Sequence, residues 1–144
     1  EAIQEEILRM REQGYLTPEE AENVDAQLLW RFFDTEIGRK LQGGVSHLRE
    51  FKFSILIDGA EYDPACAGEK ILMQGVVDCA LVEEDGIILI DFKTDHVTEE
   101  TVDAVASSYG QQVQTYADAL HRIYEKDVKE AYLYFFRLNR FVRV

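Results

Sequence analysis

Lys70 to Lys93 reads KILMQGVVDCALVEEDGIILIDFK, two apolar runs joined by Glu84-Asp85-Gly86. The runs predict strands over Lys70 to Val82 and Ile87 to Lys93, with Asp-Gly as a hairpin signal. Each apolar run carries charge near an end: Gly75-Val76-Val77-Asp78 in the first, Ile90-Asp91-Phe92-Lys93 in the second. A lone buried charge is costly, so these groups are expected to meet at the edge of a sheet or to bind something. Asp91 and Lys93 share a strand face, about 6–7 Å apart along it. An Asp85-Gly86 loop sets Asp78 opposite Lys93, and a Glu84-Asp85 loop sets it opposite Asp91. Either loop leaves Asp78 on the face of both. A three-residue loop would place it across from Phe92 and disperse the cluster unless a bulge restored it.

Two carboxylates a few ångströms apart suit Mg²⁺, a hard cation with oxygen ligands, and Mn²⁺ would substitute. The Phe92 carbonyl would be a further ligand. A metal there would polarise a phosphodiester oxygen and acidify a bound water, with Lys93 positioning that water or stabilising developing charge. A structural salt bridge among Asp78, Asp91 and Lys93 is the competing reading. Upstream, Phe51, Phe53, Ile55 and Ile57 alternate with polar residues from Leu48 onward and predict another strand. Glu50 falls on its face opposite Phe51 and Phe53, as a third carboxylate for the metal shell or as an exposed edge residue.

Downstream, residues 98–125 predict a long helix with an irregular start through Ser107-Ser108. Tyr109, Gln112 and Tyr116, three and four apart, share a helical face beside an apolar stripe of Val113, Leu120 and Ile123. They would hydrogen-bond a phosphate or stack on a base, or the tyrosines would fill a helix–sheet seam. A last pair of strands is expected over 131–138 and 141–144, turning at Asn139-Arg140. At the other end, residues 2–13 predict a helix stopped by Gly14. Thr17-Pro18-Glu19-Glu20 is a capping box with proline at the first helical position, opening a helix that runs to Phe33. A short further turn ends near Gln42-Gly43-Gly44. The order of elements gives an α/β (α+β) fold: a mixed central sheet flanked by helices, with a helical segment over 1–47 and a sheet-plus-helix part over 48–144.

At 144 residues with 47% hydrophobic content, the chain is sized for one domain with a real core. No apolar run is long enough to span a membrane, and no secretory leader is expected. Glu1 already lies in a helical pattern and the last residues read as a strand, so both ends are expected to be cuts from something longer. Cys66 and Cys79 are too few for a disulfide framework or a cysteine-held iron–sulfur cluster, and fit reduced thiols in a cytoplasmic protein. The net charge of −13 repels nucleic acid over much of the surface, so metal ions or other domains would have to supply grip.

These motifs together resemble the PD-(D/E)xK nuclease superfamily, and within it the C-terminal nuclease domains of AddA-type, RecB-like helicase–nucleases. The resemblance runs through Gly14-Tyr15-Leu16-Thr17, Arg49-Glu50-Phe51-Lys52-Phe53, Gly75-Val76-Val77-Asp78, Asp91-Phe92-Lys93-Thr94-Asp95, Gln112-Val113-Gln114-Thr115-Tyr116 and Tyr132-Leu133-Tyr134-Phe135. It implies Asp78 and Asp91 as metal ligands and Lys93 as the catalytic lysine. Glu50 would be the upstream acidic residue, and Gln112 and Tyr116 the helical motif. It implies a bacterial cytoplasmic enzyme that cuts single-stranded DNA unwound from a duplex during double-strand-break repair, alongside an AddB-like partner protein. Two departures stand out. The family's upstream histidine ligand has no counterpart, since His47 lies in a loop and His96 and His121 read as surface groups. No Gly-x-x-x-x-Gly-Lys-Ser/Thr loop exists, so ATP would serve only a motor outside this chain. Two further readings follow: an inert nuclease-fold module for partner or DNA-end contact, and another carboxylate–metal hydrolase such as a phosphatase.

Overall fold

In the computed structural model, which describes residues 1–144, four helices precede the first strand. They are α1 (Ala2–Glu12), α2 (Pro18–Asn23), α3 (Ala26–Phe33) and α4 (Glu36–Gln42). The capping box forms: the Glu20 amide donates to Thr17 Oγ1, and the Thr17 amide donates to the Glu20 carboxylate at 2.8 Å. The helix it opens stops early. Val24 is extended, and Asp25 caps a separate helix by accepting the Gln27 and Leu28 amides. The single helix expected from Pro18 to Phe33 is therefore two, because a local side-chain cap outcompetes continuation.

Strands β1 (His47–Asp58), β2 (Lys70–Glu83) and β3 (Gly86–Lys93) form an antiparallel meander. After α5 (Val102–Ser108) and α6 (Gly110–Tyr124) come β4 (Val128–Phe135) and β5 (Arg140–Arg143). The five strands lie in chain order, with β3 and β4 parallel and the helices α5 and α6 connecting them. This is the mixed, helix-flanked α/β sheet expected. The long helix over 98–125 is broken at Tyr109, one residue past Ser107-Ser108. There the Ser107 and Ser108 hydroxyls donate back to the Asp103 and Val105 carbonyls.

The sheet is buried on both faces. Val77, Ala80, Leu89, Val113, Leu120 and Leu133 form the core under α5 and α6. Phe32, Leu41, Cys79, Leu81, Ile88 and Tyr134 form the core under α3 and α4. Strand β3, sandwiched between them, is apolar at successive positions for that reason. Ile123, expected on the packing stripe, is instead exposed near the end of α6. The β4 strand ends at Phe135, three residues early. The chain turns through 136–139, where left-handed Asn139 (φ 49°) accepts the Tyr134 hydroxyl at 2.5 Å.

Candidate active site

The β2–β3 loop is Glu84-Asp85: Glu83 faces Gly86 across the hairpin. Gly86 (φ +149°) belongs to the strand, and a Cβ there would sit 2.9 Å from the Asp127 carbonyl. That register continues to Cys79 opposite Ile90, where the ladder stops. Asp78 and Asp91 are the next facing positions. Beyond this point β3 keeps its pairing with β4, out to Lys93 against Phe135. The gap on its other side is filled by a side chain: the Phe92 amide donates to Asp78 Oδ2 at 2.9 Å. A strand residue presents its N–H and C=O to the same side, so the Phe92 carbonyl faces the same gap.

Asp78 stands at a slip in the strand alternation. Val77 and Ala80 both pack on the α5/α6 core, while Cys79 packs on the α3/α4 core. The same slip occurs across the ladder, where Phe51 and Leu48 both pack on the α5/α6 side. Between them, Glu50 takes left-handed backbone (φ 46°) opposite Asp78, bracketed by the pairs Arg49–Cys79 and Phe51–Val77. A non-glycine residue in that region costs about 1–2 kcal/mol. Glu50 is exposed. No group of three or more His, Cys, Asp or Glu side chains converges, so Glu50 stands at the margin of the Asp78–Asp91 pair. It lines, with Asp78 and Phe92, a cavity of about 570 Å³ on the α3 side.

Asp91 is the one buried charged residue, 4% exposed. Lys93 Nζ lies 2.7 Å from its Oδ2, yet that oxygen receives no hydrogen bond of good geometry. The Lys93 ammonium also lies 3.4 Å from Gln112 Oε1 and 3.7 Å from the centre of the Tyr109 ring, a cation–π contact. Tyr109 in turn donates its hydroxyl to Asp95 at 3.0 Å, which raises the phenol's pKa and holds the ring under Lys93. Tyr116 packs edge-on against Phe53, and both rings rest on Gly75, where a Cβ would lie 2.7 Å from each. Burial, then the Asp91 and Asp78 charges, raises the Tyr116 phenol. Burial chiefly, with the Asp91 charge, raises the Asp78 carboxyl above its ordinary value despite the Phe92 amide. Burial pushes the Cys79 thiol up to about 11, an inert core group.

Of the residues expected at the site, the structure thus gathers Asp78, Asp91, Lys93, Gln112, Tyr109 and Tyr116 around the end of β3. Glu50 lies on its margin. His47 opens β1 rather than lying in a loop; its ring shares a hydrogen bond with the Val45 carbonyl and pairs with no carboxylate. His121 lies beside exposed Asp127. Asp95 and Gly75 had no role in the residue-by-residue reading. Only tertiary contact reveals them, since one acts through Tyr109 and the other by lacking a side chain.

The sequence profile of the PD-(D/E)XK nuclease superfamily matches residues 1–142. The chain belongs to that superfamily. A protein of Acetivibrio thermocellus described as one subunit of an ATP-dependent helicase/nuclease is 40% identical over 141 residues, 94% of this chain and 11% of that protein. The protein of the same description from Syntrophomonas wolfei is 37% identical over 145 residues, covering 100% of this chain and 12% of its own length. That from Clostridium perfringens is 36% identical over 151 residues, 99% and 12%. This nuclease-superfamily chain therefore spans about a tenth of the length of the curated relatives it matches. No helix in it is long and apolar enough to cross a membrane.

Proposed function

We propose that the chain is the metal-dependent deoxyribonuclease domain of a larger ATP-dependent helicase–nuclease, hydrolysing phosphodiester bonds of unwound single-stranded DNA. The observation that carries this reading is the pair of carboxylates at the strand gap: Asp91, buried and ion-paired to Lys93 at 2.7 Å, faces Asp78, whose carboxyl the Asp91 charge helps to raise. Two carboxylates share one ammonium there, and the surplus negative charge suits a hard cation with oxygen ligands.

Asp78, Asp91 and the Phe92 carbonyl would hold Mg²⁺, with Mn²⁺ as a substitute. Such an ion, when bound, offsets phosphate charge and acidifies water at neutral pH. The protein's own groups do the rest. The two carboxylates orient the site, and the Phe92 amide fixes Asp78 in the gap. Lys93, held by Asp91, Gln112 and the Tyr109 ring, presents a fixed positive charge to the attacked phosphate and stabilises the charge developing there. Gln112 and Tyr116 on α6 contact the substrate, and Glu50 supplies a further carboxylate from β1. In this reading residues 1–144 are one nuclease unit, a helical segment over 1–47 and a catalytic part over 48–144. The whole protein would act in double-strand-break repair and recombination in the bacterial cytoplasm, with an AddB-like partner protein, and ATP would serve its motor alone. Cleavage of a labelled single strand in Mg²⁺ by the parent and by Asp91→Ala tests it. Loss in the variant is expected; undiminished cleavage would remove the site and the reading with it.

The convergence of only two carboxylates and the −13 charge favour a second reading, a catalytically inert module that contacts a partner or a DNA end. It predicts that the parent binds DNA in Mg²⁺ without cutting it.

A further inference from the structure

Eight of the fifteen lysines and arginines pair with a carboxylate, among them Lys40, Lys70, Lys129, Arg39, Arg122 and Arg140. Two arginines beside the candidate site do not. Arg49, directly across the ladder from Cys79, makes no ion pair and lines the 570 Å³ cavity that also holds Asp78 and Phe92. Arg137 donates only to the Thr94 carbonyl, at 3.4 Å, one residue past Lys93. It lines an adjoining cavity of about 510 Å³, and Leu29 and Phe136 line both. Arg49 and Asp78 thus lie on one side of a shared apolar wall and Arg137 on the other, and the two cavities taken together make a groove on the α3 side of the sheet.

We propose that this groove is the track for the single strand, with Arg49 and Arg137 binding backbone phosphates on opposite sides of the scissile position and the Phe92–Phe136 pair offering rings to the bases. The proposal rests on the single-strand nuclease reading above and adds the residues that place the strand. The reasoning is electrostatic. A phosphodiester chain approaching a surface of net −13 needs local cations, and a guanidinium already tied to a carboxylate contributes little new attraction. Phe92 and Phe136 lie 5.4 Å apart, tilted at 38°, on the wall the strand would follow. Base–aromatic stacking is tolerant of sequence, as a processing enzyme requires.

The test is anisotropy of a labelled 12-nucleotide thymidine strand on the whole chain over a range of salt, in an Asp91→Asn background so that nothing is cut. Arg49→Gln and Arg137→Gln are each expected to weaken binding several-fold and to make the salt dependence shallower by about 0.7. Arg11→Gln on α1, which removes the same charge from a residue that lines neither cavity, is expected to change neither. A strand with neutral methylphosphonate linkages should erase the difference between parent and arginine variants. Unchanged binding by both groove variants, or an equal loss with Arg11→Gln, would overturn the track. In that event cleavage lost with Asp91→Ala would still leave the nuclease reading standing. A parent that neither binds nor cuts would overturn both.

Discussion

Asp78 occupies the place of a strand: its Oδ2 accepts the Phe92 amide that the β2 backbone no longer reaches. Strand β2 stops pairing with β3 after Cys79, and β3 continues against β4 alone. The opening this leaves is lined by a carboxylate from each strand and by the Phe92 carbonyl. The proposed cation site thus arises from where a ladder ends, with no dedicated loop.

The carboxylate pair, half-buried Asp78 beside buried Asp91, costs stability. Because the folded Asp78 carboxyl titrates above its unfolded value of 3.8, its contribution is fully present below that pH. It is lost as pH rises through the folded pKa. Asp78→Asn keeps an acceptor for the Phe92 amide and removes the charge. Without metal, its melting temperature should exceed the parent's at pH 7, and the gain should vanish below about pH 4. A variant no more stable at pH 7 would show that the charge is already compensated.

Asp91 and Lys93 depend on each other. Removing Lys93 leaves Asp91 as an uncompensated buried charge, and losing one partner of a buried pair typically costs about 3–5 kcal/mol. Lys93→Met should therefore destabilise the fold strongly in urea denaturation. Asp91→Asn combined with Lys93→Met should cost less than the two singly summed. All three variants should lose cleavage, and if the whole protein is the helicase–nuclease proposed above, its strand unwinding should persist. Simple additivity in the cycle would argue that the 2.7 Å contact is not energetically coupled.

Gly75 is small because two rings lie on it. Gly75→Ala would press a methyl group against Phe53 and Tyr116, and overpacking of this kind costs about 1–3 kcal/mol. The displaced Tyr116 should also lower cleavage. Urea midpoints and single-turnover rates check both; wild-type values would mean that the rings move aside freely.

Glu50 pays for its backbone. Glu50→Gly should relieve the left-handed strain and stabilise the chain by about 1 kcal/mol. It should lower cleavage if the carboxylate assists from the margin of the site. Glu50→Gln separates the two effects, since it keeps the strain and loses the charge. Full activity in both variants would leave Glu50 a structural residue only.

The strands around the site were legible because β3 is apolar at every position up to Asp91 and its charges sit at one end. Loop counting narrowed the register to two choices, and Glu84-Asp85 is one of them. The irregularity expected at Ser107-Ser108 falls one residue on, at Tyr109, whose hydroxyl is anchored to Asp95 in the loop after β3. Two features were not legible. The break at Val24 depends on Asp25 capping its own helix rather than continuing the last one. The left-handed turn at Glu50 lets both hairpin strands change faces together, which period-2 alternation cannot express. Val113, by contrast, is buried as the helical stripe required; Val113→Asp should unfold the chain, and an unchanged melting temperature would contradict that packing.

The central claim is a cation held between Asp78 and Asp91. Calorimetric titration of the chain with Mg²⁺ and Mn²⁺, beside Asp78→Ala and Asp91→Ala, tests it most directly. The account predicts saturable binding to the parent that each substitution removes, with both variants still folded by circular dichroism. No binding to the parent, or binding that survives both substitutions, would contradict it.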